Sequence, residues 1–182
     1  MTKLQRENLA LAVIDVQGKL SELMFRKEEI YTNLARMIQG AKVLEIPVIW
    51  LEQIPEKLGP TRPEIAELLE GYCAPIPKET FSACDNQEFM EALNAAGRSK
   101  MLLTGIESHI CLYQTAVDLI RIGREVHAVA DCISSRTEEN RRIGLEKIKD
   151  AGGVLTTVET ALFEIQKVAR GQRFKELAGI VK

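Results

Sequence analysis

The chain has 182 residues, of which 46% are hydrophobic and 27% are charged, and its formal net charge is −2. The length predicts a single domain over 1–182 with a sizeable core, and the balance is ordinary for a globular protein. The near-neutral charge excludes an overall basic character, so we expect no nucleic-acid partner.

Short apolar runs alternate with helical patterns along the chain. The eight residues before the first run are mostly polar, and the run itself is too short for the apolar part of a leader peptide. We therefore expect a cytoplasmic location and no membrane span. Such runs are typical of parallel strands covered on both faces, and they lie at 9–14, 47–51, 101–104, 125–130 and 154–158. Apolar spacings of three and four predict helices at 30–44, 110–120, 143–151 and 160–169. The order predicts a doubly wound, Rossmann-like α/β fold: a mostly parallel six-stranded sheet with helices on both faces.

Two further segments stand out. Residues 53–86 carry five of the six prolines and one short helical pattern at 64–69, which predicts an irregular functional loop. Residues 174–181 form an apolar C-terminal pattern that we expect to pack on another subunit, so the protein is predicted to be a homo-oligomer.

Ligands of open α/β sheets bind beyond the carboxyl ends of the strands, so polar residues at those ends are candidates for a site. Asp15 directly follows the first predicted strand, and Gln17 lies two residues further on. Asp15 is placed for catalysis, although an N-cap or turn role suits an aspartate equally well.

Cys111 is the candidate nucleophile among the four cysteines, whose spacings fit neither a zinc site nor a disulfide framework. It follows the fourth strand in the first turn of a helix, after Gly105, which permits a sharp turn, and Ser108, which can cap the helix. The helix dipole favours a thiolate at that position, and Lys78 would favour it further. A thiolate predicts alkylation at pH 6.5 that is faster than for a free thiol. The alternatives are a core cysteine and a solvated surface lysine.

The two histidines, His109 and His127, are poor candidates for a catalytic base. His109 lies two residues from Cys111 at a helix start and faces another direction, and His127 lies within a strand. Asp15 is the better candidate for the base.

The chain resembles the isochorismatase-like cysteine hydrolases, the superfamily that includes nicotinamidase. The resemblance covers about residues 9–163 and rests on four pieces in order: Val13-Ile-Asp15-Val-Gln17, Lys78-Glu-Thr-Phe-Ser82, Gly105-Ile-Glu-Ser-His-Ile-Cys111 and Val129-Ala-Asp131-Cys-Ile-Ser-Ser135. It is strongest with the metal-independent branch of isochorismatase-domain-containing proteins, whose substrate is uncertain.

The resemblance implies a triad of Asp15, Lys78 and Cys111. Asp15 would take the thiol proton, Lys78 would balance the charge, and Cys111 would form an acyl-enzyme thioester. The backbone N–H groups of Glu107 and Cys111 would hold the oxyanion, after a cis peptide bond between Ile106 and Glu107.

The implied activity is a metal-independent hydrolase that cleaves a C–N bond, amide or carbamoyl, of a small molecule. No metal or cofactor is expected, because Glu52-Gln53-Ile54 stands where nicotinamidases have their Asp-x-His metal pair. Gln17, Trp50, Phe81 and Tyr113 are candidates for substrate contacts, although such aromatic residues are more often part of a core.

Two other functions remain to be weighed. A non-catalytic interaction protein that keeps the hydrolase fold is the alternative, against which the complete set of Asp15, Lys78 and Cys111 counts. A nucleotide- or flavin-binding domain needs a glycine-rich first turn, and Asp15-Val-Gln-Gly-Lys19 lacks one.

Overall fold

The computed structural model describes residues 3–182 as one six-stranded sheet between two layers of helices. The strands are β1 Leu9–Ile14, β2 Val48–Gln53, β3 Pro75–Lys78, β4 Lys100–Ile106, β5 Glu125–Ser134 and β6 Val154–Thr156. All pairings are parallel, in the order β3-β2-β1-β4-β5-β6. The predicted doubly wound fold is therefore confirmed.

In residues 3–182, the first seven helices lie between successive strands, and the last two follow β6. They are α1 Gly18–Glu22, α2 Lys27–Val43, α3 Pro55–Leu58, α4 Pro63–Leu69, α5 Gln87–Ala96, α6 Tyr113–Arg121, α7 Glu138–Asp150, α8 Val158–Gln166 and α9 Gln172–Val181. Short 3₁₀ turns cover Arg6–Asn8 and Ala83–Asp85, and a π-helical turn covers Ser108–Leu112. Within the described part of the chain, no helix combines the length and apolarity that crossing a bilayer requires.

Alternate residues of the central strands face different layers. Leu9, Leu11 and Val13 of β1 pack in one core with residues of α2, α4, α8 and α9. Ala10, Ala12 and Ile14 pack in a second core with residues of α5, α6 and α7. Because both faces of β1 are covered, its sequence is apolar throughout rather than alternating.

The proline-rich middle was wrongly predicted to be irregular apart from one helix. It contains β3, the edge strand, whose Pro75, Pro77 and Lys78 pair with Trp50, Glu52 and Gln53 of β2. Proline cannot donate to a strand ladder and is tolerated at an edge, where its nitrogen faces away from the neighbouring strand. The Nδ2 group of Asn86 donates to the Pro77 carbonyl at 3.0 Å on that outer side.

The C-terminal helix α9 packs on its own chain rather than leaving its apolar side open. Leu177 is fully buried in the core beside α2 and α8, and Ile180 and Val181 are half-buried against the same cluster. The Phe174 ring lies 6.0 Å from that of Phe163 in α8. This segment therefore does not supply the free surface that was expected to contact another subunit.

Candidate active site

Three strand ends bring Asp15, Lys78 and Cys111 to the same edge of the sheet. Asp15 follows β1, Lys78 ends β3, and Cys111 lies in the turn after β4. The order of the strands reverses direction between β1 and β4, which is where open α/β sheets leave a crevice for ligands. Gly105 makes this approach possible, because a Cβ atom there would lie 2.0 Å from the Ile14 carbonyl oxygen and its φ is +117°.

Asp15 and Lys78 form a buried ion pair. Lys78 Nζ lies 2.7 Å from Asp15 Oδ2, and both side chains are almost completely inaccessible to solvent. Lys78 Nζ also donates to Gln53 Oε1 and lies 3.2 Å and 3.4 Å from the carbonyl oxygens of Thr80 and Phe81. Burying a lysine without such partners would be costly, so this set of acceptors holds the charge in place.

The two oxygens of the Asp15 carboxylate have different surroundings. Oδ2 accepts from Lys78, whereas the buried Oδ1 has no well-aligned hydrogen-bond donor among residues 3–182. Burial raises the pKa of the Asp15 carboxyl, and the Lys78 charge opposes that shift. Lys78 thus holds Oδ2 in place, whereas Oδ1 can accept a proton from a neighbouring group.

Cys111 is a buried thiol beside Asp15. Burial, reinforced by the Asp15 carboxylate, raises the pKa of the Cys111 thiol to about 12, and the Lys78 charge opposes the rise only in part. The expectation of a preformed thiolate is therefore wrong. Lys78 is turned toward Asp15, and the helix-start position does not outweigh the desolvation of the sulfur. The raised pKa favours the neutral thiol at Cys111, next to the Asp15 carboxyl group.

The turn before Cys111 carries the backbone N–H groups of the proposed oxyanion hole. The Ile106–Glu107 peptide bond is cis. The Glu107 carboxylate accepts from the backbone N–H and the Nε of Arg136 at 3.1 and 3.2 Å. The N–H groups at the start of a helix lack intrahelical acceptors and can receive an anion.

A hydroxyl network fastens this turn to the end of β5. The backbone N–H of Ser108 donates to Ser135 Oγ at 3.1 Å, and the two serine oxygens are 2.7 Å apart. His109 Nδ1 lies 3.0 Å from the same Ser135 oxygen. His109 thus contacts the hydroxyl network of this turn. His127 lies near the start of β5, away from the carboxyl ends of the strands, and its Nε2 is 2.8 Å from Glu125 Oε1.

Helix α7 packs directly on the same turn through Gly144. A Cβ atom at Gly144 would lie 2.5 Å from the Ser108 carbonyl carbon and 2.6 Å from the His109 nitrogen. A side chain of any size is excluded there, although glycine is a weak helix former. Gly144 does not stand out in the sequence as a site residue, and Ser135 appears there only as the last residue of a family motif, because both contact the turn and not the cavity.

Cys111 opens on a cavity of about 120 Å³. Its polar lining consists of Asp15, Gln53 and Glu107, and its apolar lining consists of Leu20, Leu58, Phe81, Ile106 and Ile110. A larger cleft of about 800 Å³ lies along α7, but it is lined chiefly by charged surface side chains and contains no nucleophile.

Only one of the four predicted substrate contacts lines the cavity in the structure. Phe81 lines the cavity and is 57% exposed at its mouth. Gln17 is fully buried, and its amide bonds to backbone groups of Gln53 and Gly59. Trp50 lies in the core on the α2 face, where its Nε1 donates to Thr61 at 2.8 Å. The half-buried Tyr113 ring lies under Lys147.

Glu52 and Gln53, which stand where nicotinamidases have their metal pair, are engaged in hydrogen bonds within the chain. Glu52 Oε1 accepts from the backbone N–H and hydroxyl of Thr61, and the Gln53 amide joins Lys78 to the Glu79 carbonyl. No cluster of three or more potential ligands suited to a metal ion occurs between residues 3 and 182.

Fold and site together define an α/β protein with a cysteine, a carboxylate and a lysine at the carboxyl edge of a parallel sheet. The chain belongs to the isochorismatase family, since the family model for the isochorismatase domain matches residues 9–160. It is 37% identical to isochorismatase domain-containing protein 2 of Xenopus laevis over 180 residues, which cover 98% of this chain and 86% of that one.

Solved structures share the complete fold. A structure titled as the MAR1 ribonuclease of Caenorhabditis elegans is 33% identical, with a TM-score of 0.93 over 99% of this chain and 92% of that one. The YcaC gene product of Escherichia coli, described as an octameric hydrolase of unknown specificity, is 22% identical. Its TM-score is 0.93 over 99% of this chain and 89% of that one.

Proposed function

We propose that the protein is a metal-independent cysteine hydrolase that cleaves an amide or carbamoyl-type C–N bond of a small molecule. The observation that carries the proposal is the buried Asp15–Lys78 pair beside the Cys111 thiol, at the wall of a small cavity. Membership of the isochorismatase family supports hydrolysis as the reaction class.

In the first half of the reaction, Cys111 attacks the carbonyl carbon while its proton passes to Asp15. Oδ1 of Asp15 is the acceptor, because Oδ2 is held by Lys78. The backbone N–H groups of Glu107 and Cys111 stabilise the oxygen of the tetrahedral intermediate. The C–N bond then breaks, the nitrogen takes the proton from Asp15, and a thioester remains on the sulfur.

In the second half, Asp15 takes a proton from water as the water oxygen attacks the thioester. The C–S bond breaks, and the proton returns to the sulfur as the carboxylic acid leaves. A neutral resting thiol suits this cycle, because proton transfer accompanies bond formation. Lys78 keeps Asp15 in its basic form between the two halves by opposing the effect of burial on the pKa of Asp15.

A screen of small amides, ureas and carbamoyl compounds for release of ammonia or amine tests the proposal, with Cys111→Ala as the blank. We expect turnover of at least one class that is lost in Cys111→Ala and in Cys111→Ser, whereas both variants keep the wild-type circular dichroism spectrum. Turnover that persists in Cys111→Ala refutes the mechanism. The absence of turnover across the screen favours the alternative, an interaction protein on a hydrolase fold.

The ribonuclease named for the Caenorhabditis elegans relative is less well supported by this site. A phosphodiester needs cationic groups around its oxygens. None of the described residues that line the cavity is cationic, and the chain as a whole has a net charge of −2.

We also propose that the protein is a homo-oligomer. The E. coli neighbour is described as octameric, and Leu23 and Phe81 are 61% and 57% exposed here. Large exposed apolar side chains are typical of surfaces that associate. Sedimentation that shows a single monomeric species at micromolar concentration would refute the proposal.

A further inference from the structure

The charges around the cavity suit an uncharged occupant. Asp15 and Glu107 both belong to its lining, and among the described residues of that lining none is cationic. The cations that pair with these carboxylates, Lys78 and Arg136, are not part of the lining. A bound carboxylate would therefore be desolvated without a cation in the lining to pair with it, which is strongly unfavourable.

Lys78, the nearest buried cation, has no donor to spare for a substrate. An ammonium group offers three N–H donors. Four acceptors surround this one: Asp15 Oδ2, Gln53 Oε1 and the carbonyl oxygens of Thr80 and Phe81. A substrate anion would have to displace one of these partners, and displacing Asp15 would disconnect the base from its anchor.

The remaining lining residues limit the size and the polarity of the molecule that the cavity can hold. Five of the lining side chains are apolar, and the cavity of about 120 Å³ is well below the roughly 300–1,000 Å³ of pockets for drug-sized ligands. A cationic occupant is disfavoured as well, because both lining carboxylates are already paired, Asp15 with Lys78 and Glu107 with Arg136, and the apolar walls offer no replacement for its hydration. A short, apolar and uncharged group fits these walls.

We infer that the substrate is a small, electrically neutral primary amide with a short apolar acyl group. This inference rests on the proposed function and narrows it. The amide R–CO–NH₂ and one water give R–COOH and ammonia: the C–S bond forms as the C–N bond breaks, and the C–O bond then forms as the C–S bond breaks. The leaving nitrogen takes the thiol proton through Asp15, and a water proton restores the thiol.

Two matched pairs of amides test the inference, since the members of each pair have the same number of heavy atoms and differ in charge. Isovaleramide is compared with malonamate, and butyramide with β-alaninamide. We expect kcat/KM for each neutral member to exceed that of its charged partner by at least about a hundredfold. Each added methylene in short linear amides should raise kcat/KM by up to about fourfold until the cavity is full.

A binding measurement separates this inference from the proposed chemistry. Isovaleramide and malonamate are titrated into ¹⁵N-labelled Cys111→Ala protein, with the amide signals of Ile106, Glu107 and Ile110 as reporters. We expect saturable shifts with isovaleramide at millimolar concentrations and none with malonamate.

The outcomes distinguish the two ideas. Cys111-dependent hydrolysis of malonamate at a rate comparable to isovaleramide overturns the inference and leaves the proposed function standing. Equal binding of both ligands, or binding of neither, also overturns it. If isovaleramide binds selectively but no amide is hydrolysed, the hydrolase proposal fails while the preference for a neutral ligand holds.

Discussion

Asp15 links the buried charge of Lys78 to the thiol of Cys111 through its two carboxylate oxygens. The oxygen bound to Lys78 fixes the orientation of the side chain, and the other has no well-aligned donor among residues 3–182. Both neighbours respond to the same negative charge: it stabilises the ammonium group and raises the pKa of the thiol. Removal of that charge should therefore raise the reactivity of the Cys111 thiol and lower the turnover.

The substitution Asp15→Asn tests this coupling. Turnover should fall by about 10²- to 10⁴-fold because the general base is lost. The rate of Cys111 alkylation by iodoacetamide should rise, because a carboxylate that disfavours the thiolate is removed and the Lys78 charge is released. The measurement combines amidase assays with mass spectrometry of the Cys111 peptide. If the variant loses both turnover and alkylation, a folding defect or a different base is indicated.

The pH dependence of Cys111 alkylation follows from its pKa of about 12. A free thiol has a pKa near 8.5, so between these two values Cys111 stays protonated while a free thiol is ionised. At pH 7 we expect alkylation about ten- to a hundredfold slower than for glutathione, after allowance for the greater nucleophilicity of a more basic thiolate. The rate should keep rising by about tenfold per pH unit to pH 10. A plateau below pH 8 would contradict this.

At the residue level, the sequence selects Cys111, Asp15 and Lys78, which the structure brings together, and their catalytic roles stay a prediction. The local pattern is misleading about the state of the thiol. The local pattern shows a helix start, which favours a thiolate. Desolvation and the facing carboxylate depend on three distant strand ends meeting, and no local pattern reports them. Gln17 and Trp50 illustrate the same limit, because their polar groups are bonded to the loops that follow β2.

Among the secondary-structure elements, α7 has an unexpected role next to the site. The sequence predicts it only as an amphipathic helix, yet Gly144 allows it to lie against the backbone of Ser108 and His109. The network around Ser135 fixes the same turn from β5. The turn that carries the proposed oxyanion donors is therefore positioned from two sides by residues that do not line the cavity.

The substitution Gly144→Ala should displace this turn. We expect a loss of about 1–3 kcal/mol in the free energy of unfolding, because the added methyl group meets backbone atoms that cannot move independently. The value of kcat should fall more than substrate affinity does, because the oxyanion donors move relative to the sulfur. Urea unfolding and steady-state kinetics provide the measurements.

Gly179 of α9 provides the matched control. It is also a helical glycine, but a Cβ atom there meets nothing within 4 Å. Gly179→Ala should stabilise the protein by up to about 1 kcal/mol and leave kcat unchanged. A wild-type kcat in Gly144→Ala would show that α7 does not position the turn.

At the scale of the whole molecule, the sequence correctly predicts the layers, but it is a poor guide to the edge of the sheet and to the C-terminus. Apolar runs identify strands that are covered on both faces. This criterion does not identify β3, because two of its four residues are prolines and only alternate side chains are buried. The apolar pattern of α9 is real, but periodicity shows only that a face is covered and not which chain covers it.

The substitution Leu177→Ala distinguishes packing within the chain from packing between subunits. Leu177 is completely buried in its own core, so we expect a loss of about 2–5 kcal/mol in the free energy of unfolding. The mass in light scattering should stay that of the wild type. Val168→Ala, at a side chain that is 49% exposed, should change stability by less than about 0.5 kcal/mol. Dissociation into monomers without loss of stability would assign α9 to an interface after all.

The proline-bearing edge strand also determines how this sheet can meet another polypeptide. A free strand edge normally offers outward-facing N–H groups on which a foreign strand can assemble. The Ile54 N–H donates to the Lys78 carbonyl, so the backbone polar groups of Lys78 face the β2 side. The backbone polar groups of Pro75 and Pro77 therefore face outward. Neither has an N–H to donate, and the outer carbonyl of Pro77 already accepts from Asn86. The strand that delivers the lysine of the site is thus a poor template for strand addition. The proposed association between copies of this chain is therefore expected to use side chains or other parts of the surface, and not to continue the sheet past β3.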